Sequence, residues 1–112
     1  MDKAELEQRT KRFALRVIRF VAELPKSKVN DVLGYQLLKS GTSIGANYRE
    51  VPQGFLSTRW VWWRKRLLAQ YWLELSQEAL VGNAEERHRL FQESTELLAI
   101  FTSIGKTTKL GR

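Results

Sequence analysis

The chain of 112 residues contains no cysteine and one histidine. Without cysteine it has no disulfide, no thiolate metal site and no cysteine nucleophile. A single imidazole, His88 in EERHRL, cannot build the multi-histidine metal site that zinc enzymes use, and its charged neighbours suit a solvated helix position. The longest apolar run is LLAIF, Leu97 to Phe101, far short of the ~20 residues that cross a bilayer. The start, MDKAELEQRTKRF, carries acids where a signal peptide needs an apolar stretch, so a soluble, cytoplasmic chain without a membrane partner is expected. Acidic residues are outnumbered, 12 against 19 lysines and arginines, for a net charge of +7. That balance attracts anions, nucleic acid and acidic protein surfaces among them, without choosing between them.

Prolines are also scarce: Pro25 and Pro52 only. Between such breaks the apolar residues recur at helical spacing. Leu6, Phe13, Val17, Phe20 and Leu24 mark one face of a helix over about 4–24, ended by Pro25. Leu33, Leu37, Ile44 and Tyr48 mark a second over about 31–50, which Asn30 or Asp31 can cap. A third, about 58–81, carries two stripes: Trp60, Trp63, Leu67, Tyr71, and Val61, Leu68, Trp72, Leu75, Ala79. Its apolar surface is broader than one seam requires, and Gly82 is a suitable stop. A fourth, about 84–104, has Asn83 as cap and Leu90, Leu97, Phe101 and Ile104 inside, followed by a frayed basic tail after Gly105. No segment alternates with a period of two. The expectation is one all-α domain, an antiparallel up-down-up-down four-helix bundle.

The stretch SGTSIGANYRE, Ser40 to Glu50, is rich in glycine and small polar residues inside a helical pattern. A phosphate-binding loop is excluded: no lysine follows Gly45, and no strand precedes the motif. In a helix, Gly41 and Gly45 lie one turn apart on one face. Each glycine costs about 1 kcal/mol against alanine, so the expected return is close approach of a neighbouring helix. Asn47 is either a buried residue that sets register or simply exposed. Arg49 and Glu50 suit a structural ion pair or subunit contact better than acid–base chemistry, because no second acid stands beside Glu50. No Ser–His–Asp set is arguable around the lone histidine. No catalytic, metal-binding or cofactor-binding residue is expected.

LLKSGTSIGANYRE, with QRTKRFALRVIRFVAELP before it and YWLEL and ELLAIF after it, resembles the bacterial four-helix-bundle proteins related to the 23S rRNA intervening-sequence protein. The matching motif positions are Gly41, Ser43, Ile44, Gly45, Asn47 and Glu50. The resemblance implies a bundle that assembles into a ring, typically a homopentamer. It also implies kinship with the accessory protein of diversity-generating retroelements, which works beside a reverse transcriptase and its nucleic acid. It brings no catalytic residues. Val51 to Gln70 departs from the pattern: it has no acid, four basic residues and three of the four tryptophans, as a local compensated frameshift would leave it.

Two groups of cations are candidates for nucleic-acid contact. Arg9, Arg12, Arg16 and Arg19 recur at steps of three and four, on one helix face away from the apolar stripe. Guanidinium forks suit phosphate oxygens. The alternative is a solvated face with ion pairs to Glu5 and Glu23. Arg64 and Arg66 lie in WVWWRKR, where aromatics beside cations can stack bases; the alternative is core packing of the tryptophans. The function expected is a non-enzymatic, oligomeric scaffold that binds RNA, DNA or a nucleic-acid enzyme. The alternative is a protein-interaction module with no nucleic-acid partner.

Overall fold

The computed structural model describes residues 2–50 and 68–110, with the side chains of Asn47, Arg49, Glu50 and residues 104–110 outside that description. The described residues form four helices and no strand: α1, Lys3–Ala22; α2, Lys28–Glu50; α3, helical over residues 68–78; and α4, Ala84–Leu110. The backbone of Val51 and of residues 52–67, which hold the expected start of α3, lies outside the described residues.

The helix ends have local causes. Asp2 caps α1, accepting from the Glu5 N–H at 2.8 Å. That hydrogen bond lowers the Asp2 pKa. α1 stops at Ala22, two residues before the expected end, with Pro25 close behind. α2 starts earlier than expected, because its cap is Ser27 rather than Asn30 or Asp31: the Asn30 N–H donates to Ser27 Oγ at 3.0 Å. The Asn30 side chain is spent on the Pro25 carbonyl at 2.7 Å. Asn83 does cap α4, accepting from the Glu86 N–H at 2.9 Å. α4 runs on to Leu110, where a frayed tail was expected; no proline follows Gly105 to break it.

The end of α3 differs from expectation too. The Val81 N–H donates to the Ser76 carbonyl (3.0 Å) and the Leu80 N–H to the Gln77 carbonyl (3.3 Å). That paired closure places Leu80 in the left-handed position usually filled by glycine, at φ 56°. Gly82 follows at φ 75° and directs the turn into α4, rather than ending α3 itself.

The core takes one stripe from each helix. Leu6, Phe13, Val17 and Phe20 of α1 meet Leu37 and Ile44 of α2 and Leu90, Leu97 and Phe101 of α4, all buried. On α3 the inward residues are Ala69, Leu73 and Ser76, between the two stripes read from the sequence. Leu68 and Tyr71 are exposed, and Trp72 and Leu75 are half-buried. Hydrophobicity misplaced this face because two of its three residues are small.

Contacts between helices follow a consistent order. Along α2, Gly34, Gly41 and Gly45 face Val21, Val17 and Thr10 of α1 in turn. Arg9 meets Glu93 and Glu96 of α4, while Phe20 meets Gly82, just before α4 begins. Between α3 and α4, Gln70 bonds Thr95 and Gln77 bonds Arg87.

Candidate nucleic-acid interface

The motif on α2 is a packing surface. A Cβ added at Gly41 would lie 3.1 and 3.2 Å from the two Val17 methyls, and one at Gly45 would lie 3.0 Å from Thr10 Oγ1. Gly34 extends the same face and went unnoticed in the sequence, although it lies seven residues before Gly41. Hydroxyls near the seam are satisfied within their own helices. Thr10 donates to Leu6 O, Ser40 to Gln36 O at 2.7 Å, Ser43 to Lys39 O at 2.7 Å, and Thr42 to Leu38 O. Such back-bonding gives each of these hydroxyls an acceptor one turn back in its own helix. Ile44 is a core residue. The Tyr48 ring packs 5.5 Å from Phe101, and burial raises its hydroxyl pKa, with the charges of Glu7 and Asp2 adding to this. The side chains of Asn47 and Glu50 lie outside the described residues, so their expected roles stay with the sequence.

Gly41→Ala tests the packing reading. Alanine gains up to about 1 kcal/mol of helix propensity. Its methyl would press on Val17, a β-branched core side chain with no free rotamer in a helix. The expected balance is a net loss of about 1 kcal/mol, since overpacking costs roughly 1–3 kcal/mol. Urea denaturation measures it; a gain in stability would mean the glycine is not needed for approach.

The arginine stripe on α1 divides. Arg9 is 20% exposed and forms a fork with Glu93, Nε to Oε2 and Nη2 to Oε1, both at 2.8 Å. It also reaches Glu96 at 2.9 Å. The Glu93 hydrogen bonds raise its pKa above the ordinary arginine value; burial opposes this and Glu96 adds to it. Arg9 is therefore a clasp between α1 and α4 rather than a cation held out to solvent. Arg12, Arg16 and Arg19 are exposed and make no ion pair among the described residues, so the pairs to Glu5 and Glu23 do not form. Arg16 and Arg19 line a cleft with Glu23, Asn83 and Glu86, whose two carboxylates offset them. Arg64 and Arg66 lie outside the described residues.

Sequence reasoning overlooked Arg87, which is 6% exposed. It donates to Gln77 Oε1 (2.7 Å), Val81 O (3.0 Å) and Gly82 O (3.2 Å). Its charge sits against carbonyls just past the end of α3, where a cation is favoured. His88, beside it, is exposed. Among the described residues no group of three or more histidines and acids could hold a metal ion, and no helix is long and apolar enough to cross a membrane.

No protein-family model matches the chain, and no curated protein matches it. Among solved structures, it is similar to a protein of unknown function from the S23 ribosomal protein family of Bacteroides thetaiotaomicron. The two are 28% identical with a TM-score of 0.79, and the match spans 93% of this chain and 97% of the other. The likeness supports a relationship to that family.

Proposed function

We propose that the protein is a non-enzymatic scaffold that binds nucleic acid, or an enzyme acting on nucleic acid, as a cyclic homo-oligomer. The bundle is read as antiparallel, up-down-up-down, which the order of contacts between α1, α2, α3 and α4 supports. The pentameric ring, the link to the 23S rRNA intervening-sequence protein and to retroelement accessory proteins, and a cytoplasmic place of work belong to the same reading. They rest on the SGTSIGAN motif and, for the cytoplasm, on the lack of cysteine.

One observation carries the nucleic-acid half. The whole net charge of +7 comes from residues 51–67, with four basic side chains and no acid, and residues 106–112, with three and none. All the other residues together are neutral. Tyr48, near the end of α2, meets Phe101 in the C-terminal half of α4, and Gln70, in the first described turn of α3, meets Thr95. Both basic segments thus join the chain toward one end of the bundle. Two acid-free basic segments support phosphate contact better than the α1 stripe, where Arg9 is paired with Glu93 and Glu96, and Arg16 and Arg19 share a cleft with Glu23 and Glu86.

The test is RNA and DNA binding by fluorescence anisotropy across salt concentrations. Affinity is expected to fall steeply with salt, each phosphate contact contributing about −0.9 to the log–log slope on duplex DNA. Arg64→Glu with Arg66→Glu should lower the slope more than Arg12→Glu with Arg16→Glu. Absence of binding at low salt would remove the nucleic-acid half. The alternative, a protein-interaction module, is favoured by the offset charges of the α1–α4 cleft.

A further inference from the structure

Once the two basic segments are set aside, the neutral remainder is divided by charge. Residues 1–50, which hold α1 and α2, carry ten basic and six acidic side chains. Residues 68–105, with α3 and most of α4, carry two basic and six acidic. Residues 1–50 thus carry a net +4 and residues 68–105 a net −4.

Each half also exposes apolar side chains among those charges. On α1, Leu15 and Ile18 are each 43% exposed, opposite the core stripe of Phe13, Val17 and Phe20, and one turn beyond Leu15 stands Lys11. On α2, Val32 and Tyr35 are 54% and 61% exposed, and Lys39 is the next residue on that line. The spacing, a lysine and two apolar residues at steps of three and four, is the same on both helices. On α3, Leu68 and Tyr71 are 48% and 51% exposed, followed at helical spacing by the exposed Glu74 and Glu78. None of these four charged residues makes an ion pair among the described residues.

We propose that the occupant of the α1–α2 outer face is a second copy of this chain, seated through the outer face of α3. Leu15, Ile18, Val32 and Tyr35 of one copy meet Leu68 and Tyr71 of the next, with Lys11 and Lys39 opposite Glu74 and Glu78. The charge division selects head-to-tail docking: the two-fold alternative would set like charges together, which repels. Head-to-tail docking leaves one face of each kind open at every step, so the assembly closes into a ring or extends. This inference rests on the oligomeric part of the function proposed above and names the surfaces that make it.

Charge reversal tests the docking by sedimentation velocity at about 50 mM salt, where screening over a contact is slight. Lys11→Glu with Lys39→Glu, and separately Glu74→Lys with Glu78→Lys, should each weaken assembly about tenfold or more in dissociation constant. The variant with all four reversals should regain assembly, because the two faces have only exchanged sign. Circular dichroism confirms that each variant is folded. An oligomeric wild type whose assembly none of the reversals alters would overturn these surfaces but leave the oligomer standing. A wild-type chain that sediments at 13.1 kDa would overturn both.

Discussion

Gly82→Ala lowers the stability of the bundle by about 2–4 kcal/mol, the sum of a left-handed backbone penalty and a steric one. Gly82 stands at φ 75°, where an L side chain is strained. An added Cβ would also lie 2.7 Å from Phe20 Cζ and 2.7 Å from Leu24 Cδ2. Phe20 is a core ring and cannot withdraw without opening a void beside α1. For a chain of this size the loss corresponds to roughly 10–20 °C in Tm. Leu80 supplies the contrast, because it occupies the same backbone region but is 75% exposed and packs against little. Leu80→Gly removes the strain without opening the core, so it should raise stability by up to about 1 kcal/mol. Thermal melts at one protein concentration measure both, since assembly would make Tm concentration-dependent. A Gly82→Ala variant as stable as the wild type would mean that the α3–α4 turn relaxes freely.

Arg87→Ala should cost about 2–3 kcal/mol, the range for losing charge-assisted hydrogen bonds at a buried site. The guanidinium links α4 to the Gln77 side chain and to the carbonyls of Val81 and Gly82. Without it, those carbonyls sit in a turn where Val81 is itself buried. Lysine keeps the charge but not the planar fork, so Arg87→Lys should recover less than half of the loss. Full recovery by lysine would show that charge alone matters there. Urea titrations of the two variants separate the cases, and the m-value reports any change in compactness.

Most of the helical core was legible in the chain. Phe13, Val17, Leu37, Ile44, Leu90, Leu97 and Phe101 announce themselves, because a large apolar side chain at helical spacing has one economical place to go. The small-residue face of α2 was legible for a related reason: two glycines in a helix are costly unless something comes close. The inward face of α3 was not, because Ala69 and Ser76 carry little hydrophobic signal while the aromatics beside them carry a great deal. Ser27 as cap and Arg87 as clasp were missed because each depends on which backbone groups arrive within reach.

The arginine stripe shows where the boundary lies. Periodicity by itself determined that Arg9, Arg12, Arg16 and Arg19 share one side of α1. Only the packing of α4 decided that Arg9 is taken up by Glu93 and Glu96, while Arg12 stays exposed and Arg16 and Arg19 stay exposed in a cleft with Glu23 and Glu86. The reason is one of distance. Helical spacing is a local property, set by 1.5 Å of rise and 3.6 residues per turn. The charges that surround a side chain come from a helix more than 80 residues away in the chain, and only the fold brings them within 3 Å.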